Sequence, residues 1–381
     1  MTIFLTGSNG YLGSYVAHEL LRRDPNTRLA LLVRAKSPAH AEQRLWQAWQ
    51  LHMEFEPFID LVRSRCDIYL GDLTAPELGL EASARDRLIK SMSSVLHVAA
   101  SLNRKSSKAC FNVNLRGTLS VIKLARAAAD HHGLRRFSDI STTAVAGHRQ
   151  SELVAEHDMI DWSRSDYDPY ARTKKFCEHM IHELLPDVRC TVFRPSTVLG
   201  DSRFPETTQF DMTRAFVTLV KMPVLPLAAD WRHDVVPADY VCDGIVTVHQ
   251  SDAPAHDSYN LSAGDASPDY QTIIDTLVAA GLPRRRFAPW LAKPFELTVE
   301  GLMATPRGWG VSLPASLMKV FWPYLTFNTV FDNSRVVAAL GGRRPAPFTD
   351  YAYGLFRFAS EGNFTYPHKP WPEAVSPRKV A

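Results

Sequence analysis

Tyr170 and Lys174 stand four residues apart in "DPYARTKKFCEHMIHELL", a spacing that puts both side chains on one face of a helix. A phenol beside an ammonium group has its phenolate favoured, which draws its pKa down toward working pH. Such a phenol passes a proton to or from a carbonyl oxygen while a hydride moves at the carbon. A second group of candidates ends the stretch "FSDISTTAVAG", where Ser141, Thr142 and Thr143 offer three hydroxyls. A hydroxyl donor at that place holds a carbonyl oxygen as negative charge develops on it. The competing reading is that these residues only cap and turn the chain. A third group opens the chain: Gly7, Gly10 and Gly13 follow the apolar run Ile3, Phe4 and Leu5.

The elements that must position these groups are legible in the pattern. "TIFLT", "RLALLVR", "CDIYL", "SVLHVAA", "RFSDIS" and "RCTVFRP" read as short buried strands. Between them run "YLGSYVAHELLRR" and "FNVNLRGTLSVIKLARAAAD", with apolar residues at helical spacing. Asp168 reads as the N-cap of the tyrosine helix, with Pro169 in its first turn. Strands alternating with helices imply an α/β fold, a doubly wound parallel sheet covered on both faces. Ligands of such sheets bind at the carboxyl edge of the strands, where the hydroxyl cluster falls.

The glycines then have a reason. Gly7 permits a tight turn, Gly10 lets the backbone approach a pyrophosphate, and Gly13 lets the helix pack closely. The spacing is GxxGxxG rather than GxGxxG. Arg34 ends the second strand where an acid would bind a ribose hydroxyl. Arginine suits a 2′-phosphate, so NADP(H) is the expected cofactor, with Lys36 adding charge. Asp72, ending the third strand, meets an adenine amino group or caps a helix.

Composition bounds the rest. The 381 residues are 45% hydrophobic and 22% charged, the balance of an ordinary soluble enzyme; the mild net charge of +3 excludes neither nucleic acid nor an anionic substrate, and no nucleic-acid partner is expected. Five scattered cysteines without a CxxC suggest neither a disulfide framework nor a zinc site. The histidine pairs His131–His132 and His179–His182 lack zinc-hydrolase spacing, so no metal is expected. The first strand begins at Thr2 and no long apolar run occurs, so a cytoplasmic protein with no signal peptide and no membrane span is expected.

Taken together, TGxxGxxG at Thr6 to Gly13, the hydroxyl strand end, YxxxK, and "RPSTVLG" from Arg194 resemble the extended short-chain dehydrogenases/reductases, over residues 1 to about 265. The resemblance implies a Rossmann-type domain with a smaller C-terminal substrate-binding cap. It implies catalytic roles for Thr142, with Thr143 the alternative, and for Tyr170 and Lys174. Lys174 would also hold the nicotinamide ribose, and Asn114 would support that lysine through water. Cofactor contacts are implied for Gly7, Asn9, Gly10, Tyr11, Leu12, Gly13, Arg34, Asp72, Leu73, Ala99, Ala100, Asn114, Pro195 and Val198. Within that group, "LVRA", "RLWQAW", "GDLTAPELGL" and "VLHVAASLN" are similar to thioester reductases and fatty acyl-CoA reductases. The implied substrate is an acyl thioester on coenzyme A or on an acyl or peptidyl carrier protein, reduced to aldehyde or further to alcohol. Simple carbonyl reduction, sugar epimerisation and cofactor-dependent regulation without turnover are the alternatives. The segment "AASLNRKSSK" departs from the more apolar sequence usual there.

The expected division is a Rossmann domain over 1–200 completed by 228–265, a cap over 201–227 and 266–370, and an unordered tail over 371–381. Asp234 and Asp239 are expected to order a loop and cap the helix that follows. Arg232 meets a phosphopantetheine phosphate or forms a plain salt bridge. The aromatic stretch 321–332 is expected in the core, with a lid over an acyl chain as the alternative.

Overall fold

The computed structural model describes residues 1–306, 312–373 and 375. Its centre is a seven-stranded sheet of β1 (Thr2–Thr6), β2 (Arg28–Val33), β3 (Cys66–Leu70), β4 (Ser94–His97), β5 (Arg136–Ile140), β6 (Cys190–Pro195) and β7 (Ser258–Leu261). The spatial order is β7-β6-β5-β4-β1-β2-β3, and every pairing is parallel. All six expected strands are in this sheet, joined by β7. Near-continuous apolar runs suit strands buried on both faces. The order reverses direction at β1, which lies between β4 and β2, so a crevice opens beyond the strand ends there.

One face is covered by α1 (Tyr11–Arg23), α2 (Pro38–Trp49), α3 (Phe55–Arg65) and α8 (Ala238–Gln250). The other is covered by α4 (Ala82–Ser91), α5 (Gly117–His132) and α6 (Pro169–Leu184). Capping follows the sequence: Ser37 accepts a hydrogen bond from the His40 amide before α2, and Asp168 from the Ala171 amide at 2.8 Å before α6. The periodic stretch before α5 is not one α-helix. Its first turn, Phe111–Arg116, is a wider π turn that buries Asn114.

A separate apolar core joins α7 (Asp211–Lys221), α9 (Tyr270–Ala279), α10 (Ala292–Met303), α11 (Ser312–Thr326) and α12 (Phe348–Glu361). The start of the expected unordered tail is docked instead: the Trp371 ring packs on Phe55 at 4.9 Å, next to Lys369, whose O accepts from Trp46 Nε1 at 3.2 Å. Burying indole surface accounts for this. Residues 374 and 376–381 of the expected tail lie outside the described residues. Among the described residues, no helix is long and apolar enough to cross a membrane.

Candidate active site

A cavity of about 930 Å³ lies at the carboxyl ends of β1, β4, β5 and β6 and reaches under α11. Its floor is the turn between β1 and α1. Gly7 has φ of +79°, and a Cβ there would meet Ala99 N at 2.7 Å. A Cβ on Gly13 would lie 1.9 Å from Gly7 O, so the third glycine lets α1 start against the turn itself. The turn is closed by Gly10 N donating to Gly7 O at 2.9 Å. The α1 N-terminus carries no side-chain cap and no acid in its first turn. Its amides and dipole therefore face the cavity unopposed, a site made for an anion. Asn9, Tyr11 and Leu12 complete this part of the wall with the three glycines. Trp49 Nε1 donates to Ser8 O at 2.9 Å, tying the loop to α2.

Arg34, Asp72, Leu73, Ala99, Ala100, Pro195 and Val198 also line the cavity, whereas Lys36 does not. Arg34 is exposed and lies 3.7 Å from Asp72. Asp72 caps no helix. Its carboxylate accepts from the Thr74 amide and hydroxyl, both at 2.8 Å, and orders its own turn. Burial pushes its pKa up, but these bonds and Arg34 hold it below the ordinary value. The sequence reading missed Arg44 of α2, which lines the same corner and donates to the Arg34 carbonyl. Helical spacing within "RLWQAW" was its only signal. A glycine cradle, a free helix N-terminus and two guanidinium groups at the far corner fit a phosphorylated dinucleotide.

At the other end Thr142 and Tyr170 reach the cavity. The three hydroxyls separate clearly. Ser141 Oγ donates to Glu178 and is committed there. Thr142 Oγ accepts from the Ala144 amide at 3.2 Å, leaving its own O–H free to donate. Thr143 also lines the wall and is almost fully buried. Glu178 is bound to Arg194 at 2.7 Å, so α6 is anchored to β6 beneath the hydroxyls.

Lys174 does not line the cavity. Its Nζ donates to Ile140 O at 2.5 Å and lies 3.7 Å from Asp139, with 1% of its side chain exposed. Burial is the largest influence and would depress its pKa, but Asp139, Cys177, Tyr170 and Glu178 together outweigh it and the ammonium is held above its ordinary value. The expected lowering of the Tyr170 pKa is corrected. Burial raises it, Lys174 and Arg104 pull it down, and burial prevails. Asn114 is likewise absent from the wall. Its amide donates to Thr173 Oγ at 3.1 Å and to Ser101 O at 3.2 Å, and its Oδ1 accepts from the Ser101 amide at 2.7 Å. It clamps the loop after β4 onto α6, and none of these hydrogen bonds goes to Lys174.

The remaining expectations divide. Asp234 accepts from Ser196 Oγ at 2.7 Å and the Ala263 amide at 2.8 Å, and Asp239 accepts from Ser202 Oγ at 2.6 Å. Both order loops, but neither caps α8, whose N-cap is Pro237. Arg232 lies outside the cavity wall and donates to Asp265 O, a backbone partner, rather than forming a salt bridge. The aromatic stretch is split by helical geometry: Phe321, Tyr324 and Phe327 line the cavity, while Trp322, Leu325 and Phe331 fill the core. Arg104, from the departing segment "AASLNRKSSK", is a wall residue that the sequence reading left without a role.

Residues 5–245 match the family model described as male sterility protein. The chain is 27% identical over 337 residues to an isonitrile lipopeptide synthase of Mycobacterium tuberculosis, covering 79% of this chain and 13% of that one. It is 28% identical over 398 residues to a carboxylic acid reductase of Segniliparus rugosus, covering 92% of this chain and 32% of that one. The chain thus spans less than a third of either relative's length. A terminal R domain from the myxalamid PKS-NRPS biosynthetic pathway superposes with a TM-score of 0.81 over 97% of this chain and 92% of that one, at 21% identity, which shows a shared fold. The chain belongs to the male sterility protein family, the thioester-reductase branch of the extended short-chain dehydrogenases/reductases.

Proposed function

We propose that the protein is an NADPH-dependent reductase of acyl thioesters, carried on coenzyme A or a carrier protein, yielding the aldehyde. The observation that carries this reading is the single cavity that runs from the glycine turn past Thr142 and Tyr170 to an apolar roof of Leu317, Val320 and Phe321. One end suits a phosphorylated cofactor and the other an acyl chain. The name of one relative, a carboxylic acid reductase, supports a carboxyl-derived substrate. Residues 1–200 with 228–265 would hold the cofactor, and 201–227 with 266–370 would hold the acyl chain.

The NADPH dinucleotide would lie along Gly7 to Gly13, its 2′-phosphate between Arg34 and Arg44, with Leu73, Ala99, Ala100, Pro195 and Val198 along its length. When bound it supplies a hydride. Thr142 and Tyr170 donate hydrogen bonds to the thioester oxygen as charge builds on it, and Tyr170 delivers the proton; the resulting hemithioacetal loses that proton as its C–S bond breaks, leaving the aldehyde and the protonated thiol. Lys174 acts through Tyr170, and Asp139 keeps that lysine charged in its dry site. Asn114 and Glu178 hold α6 in place. The buried phenol remains a proton donor at neutral pH, which suits the reductive direction.

The test is loss of NADPH absorbance with acyl-CoAs, pantetheine thioesters, aldehydes and ketones. Thioester-dependent oxidation of NADPH with release of thiol is expected. Activity confined to free ketones would remove the thioester reading.

A further inference from the structure

We propose that Arg104 is a positioning residue of the reduction, a second cation that acts through Tyr170 and is seated there by the cap helix α11. The assignment rests on the reductase reading above and adds a residue to its acid site.

Arg104 lies on the loop between β4 and the short helix Ser107–Cys110, and only 16% of its side chain is exposed. Its guanidinium carbon is 4.9 Å from the centre of the Tyr170 ring, 5.0 Å from that of Tyr324 and 5.2 Å from that of Phe321. The cation is thus enclosed by three aromatic faces, one from the acid site and two from the cap. Such faces attract a cation through their quadrupoles without neutralising it. Its carboxylate neighbour is only half a partner. Asp168 Oδ2 lies 3.5 Å from Arg104 Nε but accepts a hydrogen bond from the Tyr324 hydroxyl at 2.7 Å, while Oδ1 caps α6. Arg104 Nε is buried and has no hydrogen-bond partner. A second tie fixes the loop to the same helix, since Lys105 Nζ donates to Ser316 Oγ.

The charged groups facing the phenol are few. Lys174 and Asp168 come from its own helix, Asp139 from β5 and Arg104 from the loop, with the neutral Tyr324 from α11. Lys174 and Arg104 favour the phenolate, and the two carboxylates oppose it. Lys174 is engaged by Asp139 beneath the site, so Arg104 is the cation on the cavity side. It also links cap and acid: the aromatic pair on α11 holds the guanidinium over the ring. A brace serving only stability would need no charge at this place.

The test follows the phenol itself. Tyr170 is replaced by 3-fluorotyrosine, and its fluorine resonance is titrated in the NADP-bound protein. The same titration is run in Arg104→Gln and in Asp168→Asn, which retains an N-cap oxygen. Arg104→Gln should move the titration up by about one pH unit and Asp168→Asn should move it down, the signs expected of a nearby cation and anion. Arg104→Lys should restore most of the shift. With dodecanoyl-CoA, Arg104→Gln should lower kcat about tenfold, with KM and the Kd for NADPH unchanged. A titration that Arg104→Gln leaves in place, or moves in the same direction as Asp168→Asn, would overturn the assignment even if the rate fell. The two readings fail separately. A protein that shows the opposed shifts but turns over no thioester keeps Arg104 and loses the thioester function. One that turns over dodecanoyl-CoA with an unmoved phenol does the reverse.

Discussion

Replacing Gly13 by alanine puts a methyl group where the structure has no room for one. Its Cβ would lie 1.9 Å from Gly7 O, 2.6 Å from Gly7 C and 3.1 Å from Ser8 N. All three are backbone atoms, so no side chain can swing aside. Ordinary contact between carbon and oxygen needs more than about 3 Å, so α1 or the Gly7 peptide must retreat by over ~1 Å. Gly7 O is also the acceptor that closes the turn with Gly10 N. The displacement therefore opens the cradle meant for the pyrophosphate. Overpacking of this kind costs about 1–3 kcal/mol, and most of it should appear in cofactor binding, because the bound state needs the turn closed. A weakening of NADPH of about 100-fold corresponds to ~2.8 kcal/mol. NADPH fluorescence titration and the rise of the unfolding midpoint with NADPH measure it. Gly301→Ala is the control: nothing lies within 4 Å of its added Cβ, and it sits inside α10. It should leave binding untouched and raise stability by up to ~1 kcal/mol. A Gly13→Ala protein that binds NADPH within threefold of wild type would refute the steric account of the turn.

Three further outcomes follow from the same geometry. Arg34→Ala should weaken NADPH by about 10–100-fold and leave NADH nearly unchanged, read by titration with each cofactor; equal losses would remove the 2′-phosphate from that corner. Burial pushes the Asp234 carboxyl up to about 7 from an ordinary value of 3.8. Stability tied to this group is therefore complete below the ordinary value and is lost as pH rises through about 7. Asp234→Asn should gain a few kcal/mol on wild type between about pH 5 and pH 8, seen as a thermal midpoint that falls less over that range. Lys174→Met should keep NADPH binding within tenfold, because the ammonium faces Ile140 O and Asp139 rather than the cavity, yet cut turnover on a thioester by about 100-fold or more. Loss of binding alone would place the lysine on the cofactor instead.

The parts legible in sequence were those set by local chemistry. Three glycines after an apolar run, together with a helical stretch behind them, suit a tight strand-to-helix turn, and the clash distances at Gly7 and Gly13 give the reason. Asp168 before Pro169 marks the start of α6, and that start places Tyr170. Long-range contacts were not legible. Arg104 has meaning only because Phe321 and Tyr324, from a distant helix, close over it. Arg44 counts only because the turn into α2 folds it back on Arg34. The sign of the Tyr170 shift was misjudged for the same reason. The spacing of a phenol and an amine is visible in one dimension, but the depth of burial that outweighs it is a property of the packed molecule. The direct bonds of Asn114 to Ser101 and Thr173 were not legible either, because they depend on the π turn that buries it.

The central claim is that a dinucleotide cradle and an acid phenol share one cavity and act on one carbonyl. Tyr170→Phe, assayed with NADPH and dodecanoyl-CoA beside direct NADPH titration, tests it most directly. The account predicts that turnover falls by at least about 100-fold while the Kd for NADPH stays within twofold. Turnover retained within tenfold of wild type, with cofactor bound as before, would contradict it.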